Sequence, residues 1–94
     1  MGRYNMSVFL LDGKDMTSRE EAYCVIKTAM QFPDWFGSNL DALADCLGEL
    51  PKDTTICFVN TAILAENIGE YAEKILDCFR DLSEECGFQL IEKK

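Results

Sequence analysis

Three short runs rich in strand formers, residues 6–11, 54–59 and 88–91, are separated by long stretches whose apolar residues recur at helical spacing. That alternation limits the folds open to the chain more than any other feature. A strand that returns to its sheet after a helix arrives parallel to the one it left, so the pattern predicts a three-stranded parallel sheet packed by helices. The fold class is α/β, with right-handed crossovers expected. The central run, from Thr54 to Val59, is β-branched and nearly all apolar, as expected of a strand covered on both faces.

Punctuation along the chain places the helices. The first run begins at Met6 and stops at the turn pair Asp12-Gly13. Ser18-Arg19-Glu20-Glu21 reads as a capping box, with Ser18 as N-cap. Ala22, Val25, Ile26, Ala29 and Met30 follow on one face, and this helix ends before Pro33, since a proline disfavours helical geometry in the residue ahead of it. A second helix is expected from near Ser38 to about Leu50, with Pro51 as its stop. Residues 60–67 leave a short helix open. The clearest helical pattern spans 68–86, with Ala72, Ile75, Leu76, Phe79, Leu82 and Cys86 in phase and Gly87 as C-cap. With 94 residues, no linker and no repeat, a single domain over 1–94 is expected.

Charge and cysteine usage narrow the function classes. Seventeen acidic residues against nine basic ones leave a net charge of −8, which repels nucleic acid and anionic membranes and attracts basic partners. Five cysteines, an odd number without a CxxC pair, argue against a disulfide framework or a zinc site. Each lies in an apolar pattern, where a thiol behaves as a small hydrophobe. The apolar run near the N-terminus is too short for a signal peptide or a membrane span. A reduced, cytoplasmic protein is expected.

The stretch 38–50 carries the most information. Leu40, Leu43, Leu47 and Leu50 cluster on one helical side, flanked by Ala44 and Cys46, while Asp41, Asp45, Gly48 and Glu49 occupy the other. Asp41 and Asp45 stand one turn apart and repel, with no lysine or arginine at helical spacing beside them. Asp41, at the third position after Ser38, is also what a cap and a helix dipole favour, and a solvated acidic face is the commonest origin of such a pair. Asp45 is too deep in the helix for either benefit. Just ahead lie Trp35 and Phe36, of which one is expected to anchor the core and the other to stand exposed, the composition of a binding hot spot. With no histidine in the chain, Ser-His and Cys-His nucleophiles are excluded. Asn39, Asp41 and Asp45 could be imagined as magnesium ligands, but nothing in the sequence converges on them, and no cofactor or metal is expected.

The segment Phe32-Pro33-Asp34-Trp35-Phe36-Gly37-Ser38-Asn39-Leu40-Asp41-Ala42-Leu43-Ala44-Asp45-Cys46-Leu47 resembles the signature of the barstar family, intracellular inhibitors of the ribonuclease barnase. The likeness extends to the first strand with Asp12-Gly13, the central strand and Phe79-Arg80-Asp81. It implies that the second helix and its preceding loop plug the active site of a basic, guanyl-specific ribonuclease, so that the chain is an inhibitor and no enzyme. Residue by residue, Trp35 matches a tyrosine that stacks on the enzyme's catalytic histidine, and Gly37 and Asn39 match contact positions. Asp41 and Asp45 match aspartates that meet the enzyme's arginines and lysine in place of substrate phosphate, and Asp81 matches a glutamate making a peripheral charge contact. Ala44 and Leu50 stand where the family has large aromatics. The free protein is expected to be a monomer. The alternatives are an acidic interaction or toxin-immunity protein that docks a different basic protein, and a metal-assisted hydrolase built on Asn39, Asp41 and Asp45.

Overall fold

The computed structural model describes residues 7–94. Its elements run β1 (Ser7–Asp12), a 3-10 turn (Gly13–Asp15), α1 (Arg19–Met30), α2 (Leu40–Leu47), β2 (Thr54–Val59), α3 (Thr61–Ile68), α4 (Tyr71–Cys86) and β3 (Gln89–Glu92). Met6, assigned to the first strand from sequence, lies outside the described residues. The sheet has the order β1-β2-β3, and both pairings are parallel. The expected α/β architecture with a three-stranded parallel sheet is therefore present.

Local chemistry explains the boundaries. Ser18 Oγ accepts from the Glu21 amide at 3.1 Å, as the capping box requires, and α1 ends where Gln31 takes a left-handed conformation ahead of Phe32 and Pro33. The long pattern 68–86 is shorter as a helix than its sequence spacing suggests. Gly69 sits at φ +67, outside the helical region, so Ile68 closes α3 and α4 starts afresh at Tyr71. Gly87 closes α4 in a left-handed conformation, its N–H donating to Ser83 O at 2.9 Å. The stretch 60–67, left open by the sequence, holds most of α3.

The core lies on one face of the sheet. Leu11, Ile56 and Phe58 point into it and meet Ile26 and Met30 of α1, Leu43 and Leu47 of α2, Leu64 of α3, and Ile75, Leu76 and Phe79 of α4. Phe58 and Phe79 cross edge to face, with centroids 5.4 Å apart. The other face departs from the expectation of full cover. Thr55, Cys57 and Val59 are only half-buried, and Val8 and Leu10 on β1 are 64% and 63% exposed. The apolar run of β2 thus reflects one packed face and one lightly shielded by its two neighbouring strands.

The turn after β1 is pinned against α3. A Cβ on Gly13 would stand 2.3 Å from Asn60 O and 2.9 Å from Leu64 Cβ, a space only glycine fills. Beside it the Asn60 amide donates to Asp12 Oδ1 at 2.7 Å and, with the Lys14 backbone, holds the Asp12 carboxyl below its usual range. Two expectations follow for chemical denaturation. Phe79→Ala removes a fully buried ring and costs about 3–5 kcal/mol. Gly13→Ala, which adds one methyl, costs about 1–3 kcal/mol by overpacking; an unchanged midpoint for either variant contradicts this packing.

Candidate partner-binding site

The loop between α1 and α2 divides its two aromatics. Phe36 is buried, its ring 5.3 Å from Phe32 and 6.2 Å from Tyr23, whereas Trp35 is 67% exposed. One aromatic anchors the loop and the next is presented to solvent, as expected from sequence. Gly37 follows, and a Cβ there would come within 3.1 Å of the Asn39 amide nitrogen.

The start of α2 differs from the sequence reading. Asn39, in extended conformation, is the N-cap: its Oδ1 accepts from the Ala42 amide at 2.8 Å, so the helix begins at Leu40 rather than near Ser38. Asparagine caps as well as serine does, and here it stands one residue closer to the helix. Asp41 is therefore the second helical residue, in the first turn where the dipole favours a carboxylate. The far end is shorter too. After Leu47 the chain tightens into i→i+3 bonds, Glu49 N to Cys46 O and Leu50 N to Leu47 O, which leave Leu50 outside the helix.

The two sides of α2 separate as their spacing predicts. Leu43, Cys46 and Leu47 are buried, Leu40, Ala42 and Ala44 half-buried, and Asp41, Asp45, Gly48 and Glu49 exposed. Buried leucines fix the helix against α4, so its outward carboxylates are held on a rigid element. No ion pair engages Asp41, Asp45 or Asp81 among the described residues. The neighbouring Arg80 does not relieve them. Its guanidinium donates to both Glu92 oxygens at 2.7 and 2.8 Å and to Asp77 and Glu73 at 2.8 and 3.0 Å, which commits it elsewhere.

Asp81 joins this surface through α4. Between α2 and α4 runs a groove of about 430 Å³ that includes Leu40, Asp41, Ala44, Cys78, Asp81 and Leu82. The small side chain of Ala44 helps leave it open. The Cys78 thiol is pushed up to about 11, first by burial and then by the negative charges of Asp81 and Asp41, which places both carboxylates near it. Asp77 and Glu85, with Lys74 as the opposing charge, complete the rim. Sequence reading passed over this groove, although Asp77, Asp81 and Glu85 recur every four residues and so mark one acidic stripe on α4.

The thiols also sort by environment. All five are free: Cys24 is exposed, Cys46 is buried, and Cys57, Cys78 and Cys86 are half-buried. Burial, followed by Glu49 and Asp45, raises the Cys46 thiol. Labelling the native protein with a thiol reagent near neutral pH should modify Cys24 first and Cys46 and Cys78 slowly, because the thiolate is the reactive form. Equal rates at all five, read by peptide mapping, would contradict this ordering. Among the described residues, no three His, Cys, Asp or Glu side chains gather as a metal-binding group, and no helix is long and apolar enough to cross a membrane.

Comparison with known proteins bears on this arrangement. The family model "Barstar (barnase inhibitor)" matches residues 6–93. The chain is also similar to a Bacillus subtilis (strain 168) protein named "Putative ribonuclease inhibitor YrdF", with 33% identity over 81 residues, covering 85% of this chain and 89% of that protein. With a match spanning nearly its whole length, from β1 to the end of β3, the chain belongs to the barstar family, whose members are inhibitors rather than catalysts.

Proposed function

We propose that this chain is a single-domain, monomeric cytoplasmic protein that inhibits a basic, barnase-type, guanyl-specific ribonuclease by covering its active site with α2 and the loop ahead of it. The observation that carries this reading is the acidic face itself. Asp41 and Asp45 stand exposed on a helix whose opposite side is locked in the core, and no cation of the described residues pairs with them. Left alone, such a pair costs a helix roughly 0.2–0.5 kcal/mol, which a cationic partner reverses.

The chemistry of the target fits. A ribonuclease must bind phosphate and stabilise negative charge in its transition state, so its active site presents arginine, lysine and histidine. Carboxylates on a fixed helix give those cations charge-assisted partners in the position of phosphate. Trp35, exposed beside the start of α2, supplies an aromatic face for a catalytic imidazole. Gly37 and Asn39 give a close backbone approach and an amide at the rim, Ala44 lies in the groove, and Asp81 adds charge from α4. The net charge of −8 speeds encounter with a basic enzyme.

A second reading has one observation in its favour, the groove beside Ala44. A basic protein other than a ribonuclease, such as a toxin to which this chain gives immunity, could fill it with a side chain of its own. Loss of RNA cleavage on mixing separates the two readings.

The test is a titration of the chain into a barnase-type ribonuclease at low salt, with RNA cleavage followed. Stoichiometric inhibition is expected, weakening as salt is raised. Asp45→Ala is expected to cost about 2–5 kcal/mol of binding, by leaving a cation of the enzyme unpaired in the interface. Equal inhibition by the variant would remove the acidic helix from the mechanism.

A further inference from the structure

A second feature borders the same loop, and its charge is opposite. A cleft of about 200 Å³ opens where the start of α1 meets the loop ahead of α2, lined by Arg19, Glu20, Tyr23, Ser38 and Tyr71. Arg19, exposed at the first position of α1, lays its guanidinium over the Tyr71 ring, 4.2 Å from the centroid. No hydrogen bond engages the Arg19 guanidinium among the described residues, so its N–H donors are free. No carboxylate pairs with Arg19 among the described residues, although Glu20 stands on the rim.

The other lining groups also donate. The Tyr23 and Tyr71 hydroxyls hydrogen-bond each other, so one phenol hydrogen is used within the pair and the second remains available. Burial, and then the bond to Tyr71, raises the Tyr23 phenol above its usual value, further from physiological pH. Ser38 is exposed and makes no side-chain hydrogen bond among the described residues. A guanidinium, a phenol and an alcohol therefore converge on one small space in a protein that is otherwise strongly acidic.

We propose that this cleft takes a carboxylate side chain of the ribonuclease bound by the acidic face, a step that rests on the inhibitor reading. Position supports it: Ser38 lies between Gly37 and Asn39, and Tyr23 packs on Phe36, the neighbour of Trp35, so the cleft is continuous with the proposed interface. Charge supports a carboxylate over a free phosphate. A phosphate bears two charges against Glu20 and the field of the whole chain, whereas a carboxylate on a basic protein is carried in by the attraction of Asp41, Asp45 and Asp81. The consequence is orientation. Three carboxylates on α2 and α4 define a negative patch that a basic surface could meet in several rotations. One cationic spot to the side selects the rotation that brings an acid over α1.

The test compares Arg19→Glu and Arg19→Gln with the unaltered chain in the same ribonuclease titration, with thermal melts to confirm that each is folded. A glutamate at the start of α1 suits the helix dipole, so the fold is expected to tolerate it. The two electrostatic accounts predict opposite signs. The added negative charge of Arg19→Glu strengthens a general attraction to a basic enzyme, whereas a carboxylate seated in the cleft is repelled by it. Inhibition weaker by about tenfold for Arg19→Glu, with Arg19→Gln in between, supports the proposal. Neutralising the acidic residues around the enzyme's active site one at a time should reveal one substitution that abolishes the difference between Arg19→Glu and the unaltered chain. Equal or tighter inhibition by a folded Arg19→Glu overturns the cleft and leaves the acidic face standing. An unaltered chain that fails to inhibit removes the inhibitor reading, and this proposal with it.

Discussion

Parallel pairing on both sides of β2 is the constraint from which the remaining structure follows. Each neighbouring strand must run in the same direction as β2, so the chain has to travel back along the sheet twice. Helices make both journeys: α1 and α2 between β1 and β2, α3 and α4 between β2 and β3. All four bury side chains in the core formed on the Ile56–Phe58 face. Packing there brings α2 from the first crossover against α4 from the second, and the acidic surface is assembled from both. The carboxylates are thus positioned by the sheet, through two layers of apolar contact, without touching it.

The distribution of charge divides along the same lines. Arg80 gathers Glu73, Asp77 and Glu92 around one guanidinium and so ties α4 to the end of β3. Each such pair is partly exposed and worth little alone, but a shared bidentate cation gives the network a fixed geometry. Asp41, Asp45 and Asp81 are excluded from it. The fold therefore commits Arg80 to Glu73, Asp77 and Glu92 and leaves Asp41, Asp45 and Asp81 without an ion pair among the described residues, at a small cost in stability. Fixed, unpaired carboxylates lose little entropy on meeting a cation, because their rotamers are already limited by the helix that carries them.

Much of this was legible in the sequence. Runs of strand formers located all three strands and helical spacing the first, second and last helices, and the Trp35-Phe36 pair sorted into one exposed and one buried ring as their crowding required. The resemblance carried by residues 32–47 pointed to the barstar family, which the family match over residues 6–93 shows. Other features depend on contacts between residues distant in sequence. The break at Gly69 interrupts an apolar pattern that continues in phase across it, so periodicity alone joins what backbone geometry separates. Ser38 and Asn39 are equally good caps on chemical grounds, and only the hydrogen bond to Ala42 decides between them. The cleft at Arg19 needs Tyr23 and Tyr71, which lie 48 residues apart. The open outer sheet face was masked because β2 is apolar on both sides while only one side is packed.

The tie between Asp12 and Asn60 also has a consequence for the order of folding. Its partners lie 48 residues apart, and the β1–β2 pairing beside it is equally remote in sequence. A long stretch of chain must be closed before either contact gives any return, so sheet assembly is slow compared with formation of α1 or α4. Until β1 and β2 align, α2 has no completed core to hold its leucines, and its carboxylates have no common direction. Until then the acidic surface shared by α2 and α4 is not assembled. For a member of a family of ribonuclease inhibitors, the interval between synthesis and a completed acidic surface is then set by how fast two distant strands find each other.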